Sequence, residues 1–316
     1  MNNFLLQHYK HKNLIHTVLL LSGMLVLLMV IGYLLAGFVG MFVTFLFGAA
    51  TFFTVPRFSP KLILAMYQAQ LLSLETAPGL YDMLLHLSRE AGLRYVPKLY
   101  YLPSPLLNSF TLGEKAEASI VLSDGLLRSL DSREMFGVLA HEVSHLANND
   151  IRVMSFADFI SRFTAYMALF GYVLLVAYLP IYLFEGAVYP WALVVLLVLA
   201  PNLSSLMQLA LSRSREFEAD QKAVQLTGDA LGLASALQKL ESVQSNWFRQ
   251  ILIPNYKRSE PSVLRTHPST HQRVERLMKI AEAEQHKRIE FGNHHPQFDS
   301  STQIGKPRRR IHGLWY

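Results

Sequence analysis

Residues 137–150 read GVLAHEVSHLANND, in which His141 and His145 lie four positions apart. On a helix, residues at this spacing share one face and are about one turn apart. Both imidazoles can then reach a single Zn²⁺ at about 2.0–2.1 Å, while Glu142 lies beside the metal without binding it. The alternative is an ordinary amphipathic helix with two histidines on its polar face. A metal site would decide the fold around it, because its remaining ligands must come from another part of the chain.

A catalytic zinc ion needs a third protein ligand and an open fourth position. The chain has no Cys, so the third ligand must be a His, Asp or Glu. The stretch SRSREFEAD (212–220) offers Glu216 and Asp220, again four apart. We expect Glu216 to bind the metal and Asp220 to accept a hydrogen bond from the outer nitrogen of His141, since zinc-bound histidines nearly always have such a partner. Taken alone, the two carboxylates would more simply form a solvated charged face beside neighbouring arginines.

Three long segments of the chain contain no Asp, Glu, Lys or Arg, and only 16% of all residues are charged. Soluble domains carry about 25% charged residues. The first segment, 13–56, is 44 residues long. As one helix it would measure about 66 Å, roughly twice the ~30 Å hydrocarbon core of a bilayer. We therefore predict two spans there, 14–35 and 38–55, with a turn around Gly37–Gly40.

The two later charge-free segments, 163–184 and 186–212, predict one membrane span each. A buried helical hairpin in a soluble core is the alternative, but core helices usually show a polar stripe. The stretch WALVVLLVLA (191–200) shows none. This predicted hairpin leaves the membrane surface after His145 and returns before Glu216. It would therefore bring the two halves of the metal site together.

Basic residues flank the outer ends of both predicted hairpins, whereas the turns within the hairpins have none. The positive-inside rule therefore places both chain ends and the polar middle segment in the cytoplasm. The net charge of +6 reflects mainly this topology and a basic C-terminal tail, so nucleic acid is not implied. The flanking basic residues are Lys10, Lys12, Arg57, Lys61, Arg152, Arg162, Arg213 and Arg215.

The polar segments have a recognisable local organisation. An amphipathic helix at 76–93 is followed by three short strands and by a capping-box-like start at Asp131 and Glu134 for the HEVSH helix. The strands are predicted at 98–102, 107–112 and 118–122, and later helices at about 214–226, 230–244 and 270–285. The predicted layout is a cytoplasmic N-terminus (1–13), transmembrane hairpin 1 (14–55), a first cytoplasmic protease segment (56–162), transmembrane hairpin 2 (163–212), a second cytoplasmic protease segment (213–285) and a basic flexible tail (286–316).

Four motifs in combination carry a resemblance to a known family. They are NSF (108–110), LAHEVSH (139–145) with Asp150 five residues beyond it, SRSREFEAD (212–220) and THPSTHQR (266–273). Together they resemble the HtpX-type membrane zinc endopeptidases, relatives of the type I CAAX prenyl proteases. The resemblance covers roughly residues 70–280 and has both hairpins in the matching order. Family members often have Ala where Ser109 stands, and the tail lies outside the match.

The resemblance implies a mainly α membrane protein with four transmembrane helices in two hairpins and a cytoplasmic α+β metalloprotease domain of the gluzincin type. It implies one Zn²⁺ per subunit on His141, His145 and Glu216, with Glu142 as general base. The strand formed by Asn108, Ser109 and Phe110 would hold an extended substrate by backbone pairing.

Three further residues have a less defined role under the resemblance. His267 and Arg273 are candidates for stabilising charge on the carbonyl oxygen of the substrate. The alternative is that His267 shapes a turn before Pro268 while Arg273 caps or pairs near its helix. We expect Asp150 to be a helix-end carboxylate, or one that orients a ligand, rather than a catalyst.

The implied function is hydrolysis of membrane or misfolded proteins at the cytoplasmic face of a bacterial inner membrane, as in a stress response. The implied partners are polypeptide substrates and the lipid bilayer, and the sequence gives no oligomeric state. Three alternatives are an inactive membrane scaffold or chaperone, a prenyl-protein endoprotease and a metal transporter. A scaffold has no need of Glu142, and four spans are too few for the large chamber of a prenyl protease. A transport site should lie near the bilayer midplane, whereas HEVSH lies outside the charge-free spans.

Overall fold

A computed structural model describes residues 3–54, 60–186, 190–251 and 270–293. The described part is mainly helical, with one small sheet. The helices are α1 (Asn3–Thr54), α2 (Pro60–Met66), α3 (Pro78–Glu90), α4 (Asp124–Ser129), α5 (Ser132–Ala147), α6 (Asp150–Glu185), α7 (Trp191–Thr227), α8 (Ala230–Ile251) and α9 (Thr270–Asn293). The strands are β1 (Gln70–Leu71), β2 (Lys98–Leu102), β3 (Ser109–Leu112) and β4 (Ser119–Ser123).

Three helices are long and apolar enough to cross a membrane, namely α1 from Asn13 onward, α6 and α7. They pack against one another, yet large apolar side chains also cover their outer surfaces. Val176 is 71% exposed and Phe184 is 86% exposed. A helix that is apolar on all sides without being buried in protein suits a lipid environment. The exposed apolar faces of these three helices therefore support the prediction of a membrane protein.

The helix α1 is interrupted at Ala36 and Gly37, which have non-helical backbone angles. Gly37 has a φ of 62°, a left-handed conformation that glycine adopts without steric cost. Beyond the interruption the chain comes back beside itself, because a Cβ on Gly40 would collide with the carbonyl oxygen of Gly32. The break therefore lies within the turn predicted around residues 37–40.

The sheet has the strand order β1-β2-β4-β3, with β2 and β4 parallel and the two outer pairs antiparallel. The strands β2 and β4 agree with the predicted ones, while β3 begins at Ser109 rather than at Leu107. The short β1 was not predicted, because two residues are too few to show an alternating pattern. The main core joins the sheet to α3, α5 and α8 through residues such as Leu84, Ile120 and Leu139.

The helix α5 begins where the sequence predicted. Asp131 accepts a hydrogen bond from the backbone of Glu134, and the Glu134 carboxylate accepts one from the backbone of Asp131 in return. This reciprocal arrangement is a capping box, so that prediction is confirmed. The helix ends at Ala147, and Asn149 in the left-handed conformation (φ 57°) turns the chain into α6. Asp150 is the first residue of α6.

Several helix boundaries differ from the predicted ones. The helix α3 spans Pro78–Glu90 rather than 76–93, and α8 ends at Ile251 rather than at about 244. The predicted helix at 214–226 is the end of α7, which runs without interruption from Trp191 through the apolar segment. The helix α9 continues to Asn293, past the predicted end at 285. The extra residues include Lys, Arg and Glu, which favour helix without forming an apolar stripe. The predicted flexible tail therefore has its first residues, 286–293, in α9, and the rest of it lies outside the described residues.

Candidate metal centre

The two halves of the site meet where α5 crosses α7. His141 and His145 lie on α5 and Glu216 lies on α7, and one ligand atom from each falls within 4.8 Å of the other two. The two Nε2 atoms are 3.1 Å apart, His141 Nε2 is 3.3 Å from Glu216 Oε2, and His145 Nε2 is 3.6 Å from Glu216 Oε1. A tetrahedral zinc ion with bonds of about 2.0–2.1 Å places its ligand atoms about 3.3 Å apart. Two imidazoles and a carboxylate with this spacing fit zinc.

Each candidate histidine ligand has a carboxylate at its outer nitrogen. His141 Nδ1 lies 3.0 Å from Asp220 Oδ1, and His145 Nδ1 lies 2.9 Å from Asp150 Oδ2. With Nδ1–H donating to a carboxylate, the Nε2 lone pair of each ring is left facing the metal position. From the sequence we expected Asp220 to accept a hydrogen bond from His141, and Asp150 to be a helix-end carboxylate or one that orients a ligand. The structure brings Asp220 to the His141 ring and Asp150 to the His145 ring.

A buried arginine joins the acidic residues of the site. Arg273 on α9 is 3% exposed, and its Nε and Nη2 atoms donate to Asp220 at 2.7 and 2.6 Å. Its Nη1 atom lies 2.8 Å from Glu216 Oε2. Burial acts to lower the pKa of Arg273, but the Asp220 and Glu216 carboxylates outweigh it and raise the pKa above its ordinary value. The guanidinium therefore compensates two buried negative charges.

The protonation of His141 reflects the same surroundings. Burial and the Arg273 charge act to lower the pKa of His141, but its contacts with Asp220 and Glu216 raise it to about 9. Burial raises the pKa of Asp220, but Arg273 and His141 outweigh that effect and hold the pKa below its ordinary value. A metal ion binding at Nε2 would have to displace a proton from this ring.

A second arginine, which the sequence did not predict, supports the site. Arg215, 8% exposed, has its Nη1 atom 3.4 Å from Asp150 Oδ1 and its Nη2 atom 3.0 Å from Glu218. The same Nη2 atom donates to the backbone oxygen of Asn13 at 3.4 Å. Arg215 thus links the carboxylate beside His145 to the start of the apolar part of α1. From the sequence, Arg215 was expected only as a basic residue flanking a predicted span and as a candidate partner of the carboxylates on its own helix.

Glu142 faces the sheet. Its carboxylate, on a residue that is 3% exposed, accepts hydrogen bonds from Ser109 Oγ at 2.7 Å and from Thr111 Oγ1 at 2.6 Å. Asn108 immediately precedes β3, and its oxygen accepts from the Ser123 nitrogen at 3.0 Å. Phe110 points to the other face of the sheet, where it packs in a cluster with Leu64 and Val121. Thr111 was not among the predicted site residues.

Two predictions about the surroundings of the site have different outcomes. His267, proposed with Arg273 for the substrate oxygen, lies outside the described residues. The alternative for the second segment, a solvated charged face formed by Glu216 and Asp220 beside the neighbouring arginines, is not what the structure has. Glu216 and Asp220 are 6% and 4% exposed, and they face His141 and Arg273.

Comparison with known proteins finds a family and close relatives. Residues 74–281 match the model of peptidase family M48. The chain is 34% identical over 288 residues to a "Protease HtpX homolog" of Burkholderia ambifaria, covering 85% of this chain and 97% of the relative. A protein of Ralstonia nicotianae with the same description is 34% identical over 289 residues, with the same coverage. Among solved structures, S. mikatae Ste24p matches with a TM-score of 0.43 and 18% identity, over 85% of this chain and 66% of that one.

Proposed function

The chain belongs to peptidase family M48 and is a membrane metallopeptidase, and on that basis we propose that it is a zinc endopeptidase whose metal is held by His141, His145 and Glu216. The observation that carries this proposal is the convergence of those three ligand atoms within 4.8 Å. The carboxylates at both outer histidine nitrogens support it further. A structural role alone would not require two His–carboxylate pairs aimed at one point.

A zinc ion held here would supply a Lewis acid that polarises the scissile carbonyl. Glu142 is the general base of the proposed reaction. Its carboxylate takes a proton from the water that attacks the scissile carbonyl carbon, where a new C–O bond forms. It delivers that proton to the amide nitrogen, the C–N bond breaks, and the products leave as a carboxylic acid and an amine. Asp220 and Asp150 hold the two imidazoles in the tautomer that leaves Nε2 free for the metal.

Arg273 is better suited to holding the site together than to binding the substrate oxygen. All three of its guanidinium nitrogens face carboxylates, two contacts with Asp220 and one with Glu216. This supports the pairing alternative considered for Arg273. His267 stays our candidate for stabilising the developing oxyanion.

We propose that the substrate binds as an extended strand beside β3. In the order β1-β2-β4-β3, the strand β3 lies at the edge, and no other described strand pairs with its outer side. An exposed edge offers unpaired N–H and C=O groups to a peptide. The contacts of Ser109 and Thr111 with Glu142 support this proposal, because they join β3 to the residue proposed as general base. The substrates would be membrane or misfolded polypeptides, consistent with a quality-control role.

We further propose that α1 contains two spans, which with α6 and α7 make four, and that the site faces the cytoplasm of a bacterial inner membrane. The break at Ala36–Gly37 and the contact of Gly32 with Gly40 support a hairpin. The absence of Cys makes the topology simple to test. A single Cys introduced at Lys279 should react with an impermeant maleimide only in inverted vesicles, and one at Gly186 only in intact spheroplasts. The reverse labelling would contradict the orientation.

The function is tested with the full-length protein purified in detergent. Metal should be removed with a chelator, restored as zinc alone, and cleavage of casein followed at each stage. We expect cleavage to disappear and return, and Glu216→Ala to bind little zinc and to cleave nothing. Glu241→Ala, an exposed change on α8, is the matched control and should behave as wild type. Zinc binding without any cleavage of casein or of the chain itself would favour an inactive scaffold, and cleavage confined to prenylated peptides would favour the prenyl-protein alternative.

A further inference from the structure

The Glu142 carboxylate is fixed from two sides by the neighbouring strand. Ser109 Oγ donates to Oε1 and Thr111 Oγ1 donates to Oε2, so each carboxylate oxygen accepts one hydroxyl hydrogen bond. Ser109 and Glu142 are buried, at 8% and 3% exposure. A hydrogen bond to an ionised carboxylate is roughly twice as strong as one between neutral groups. Each oxygen keeps a further lone pair with which it can reach a water or an amine.

The arrangement follows from the period of a β-strand. Side chains two residues apart point to the same face, so Ser109 and Thr111 both face α5. Phe110 and Leu112 point to the opposite face, where they pack in the cluster of Leu64 and Val121. Two hydroxyl residues at alternate positions therefore meet one carboxylate on a single helix.

The backbone of the same two residues faces the free edge of the sheet. Asn108 O accepts from Ser123 N, and hydrogen-bonded pairs alternate along antiparallel strands. The pairs Phe110↔Val121 and Leu112↔Ser119 are the next hydrogen-bonded pairs in this alternation. Ser109 and Thr111 belong to the pairs between them, so their backbone N–H and C=O groups point away from β4. These are the groups that a substrate strand beside β3 would pair with.

We propose that Ser109 and Thr111 are positioning residues for Glu142. Their hydroxyls hold its carboxylate in one orientation, while their backbone groups align the substrate strand beside it. A glutamate has several rotatable bonds. Without these hydrogen bonds its carboxylate would lose conformational entropy on reaching the transition state, which adds to the reaction barrier. The proposal rests on the proposed function, because it takes Glu142 as the general base.

The kinetic test uses Ser109→Ala, Thr111→Val and the double variant in the zinc-loaded enzyme. Each single change should lower kcat by roughly ten-fold, with KM and zinc content within about two-fold of wild type. Thr111→Ser keeps the hydroxyl and should restore most of kcat. Ser119→Ala on β4, whose hydroxyl contacts only the Glu117 backbone oxygen among the described contacts, is the matched control and should have wild-type kcat. An unchanged kcat in the double variant, or a rise in KM alone, would overturn the proposal.

A second readout needs no activity. In the metal-free protein, Ser109→Ala should lower the Tm in a background that has Glu142 and change it much less when Glu142 is Ala. Equal decreases in both backgrounds would mean that the hydroxyl does not act on Glu142, and would overturn the proposal. If zinc-loaded wild type cleaved nothing while this coupling was present, the proposed function would fail and the contact would stand. The two failures are therefore distinguishable.

Discussion

Arg273 on α9 and Asp220 on α7 form a buried ion pair through two parallel hydrogen bonds of 2.7 and 2.6 Å. Asp220 also lies 3.0 Å from His141 Nδ1, so this pair connects α9 to a proposed metal ligand on α5. Three helices that are far apart in sequence are held together by one charge network. Substitutions of individual residues in this network test different parts of the proposed site.

Changing Asp220 to Asn should weaken zinc binding. The amide has the size of the carboxylate but not its charge, so it holds the Nδ1–H of His141 less strongly and weakens the basicity of Nε2. Loss of such a partner typically reduces metal affinity 10–100-fold. Competition with a chromophoric chelator measures the change, with Asp82→Asn, exposed on α3, as the control. Equal zinc affinity in the two variants would show that Asp220 does not orient the ligand.

Changing Arg273 to Gln should destabilise the protein strongly. The change removes the buried guanidinium that contacts both Glu216 and Asp220, and breaking a buried pair costs about 3–5 kcal/mol. Thermal unfolding of the metal-free protein in detergent measures this loss. Lys279→Gln removes an exposed ion pair on the same helix and should lower the Tm far less than Arg273→Gln. Similar effects of both changes would contradict a structural role for the buried arginine.

The stability of α5 should depend on pH through Glu134. Burial raises the pKa of this carboxyl, but Lys239, Ser235 and the Asp131 backbone outweigh it and lower the pKa below 4.5. Because the folded-state pKa is the lower one, its contribution is complete above about pH 4.5 and is lost as pH falls through the folded value. At neutral pH, Glu134→Gln should cost about 1.5–3 kcal/mol.

The measurement is the Tm of wild type and Glu134→Gln between pH 3 and 7. The two curves should lie apart at pH 7 and converge at the acidic end. Glu90→Gln, an exposed change on α3, controls for the loss of one negative charge. A constant gap between wild type and Glu134→Gln at all pH values would contradict the charged contact with Lys239.

Much of this structure follows from local sequence patterns. The capping box at Asp131 and Glu134 and the strands β2 and β4 are confirmed, because their signals lie within a few neighbouring residues. The family is confirmed as well, since several motifs point to it together. For the site, the four-residue spacings of His141 with His145 and of Glu216 with Asp220 indicated residues that the structure brings into contact. The chemical roles of these residues stay predictions.

Other contacts could not be read from the sequence because they join distant segments. Arg215 reaching Asp150 and the backbone of Asn13 depends on how α1, α6 and α7 pack. The contact of Thr111 with Glu142 depends on the placement of β3 beside α5. Periodicity shows that Ser109 and Thr111 share a face, but it cannot show which helix that face meets.

The central claim is that Glu142 is the base of a zinc peptidase built from His141, His145 and Glu216. The most direct test is Glu142→Gln purified beside wild type, with zinc content and casein cleavage measured on the same samples. We predict equal zinc and a 10²–10⁴-fold loss of cleavage, the range expected for a general base. Equal zinc with equal cleavage would contradict the account.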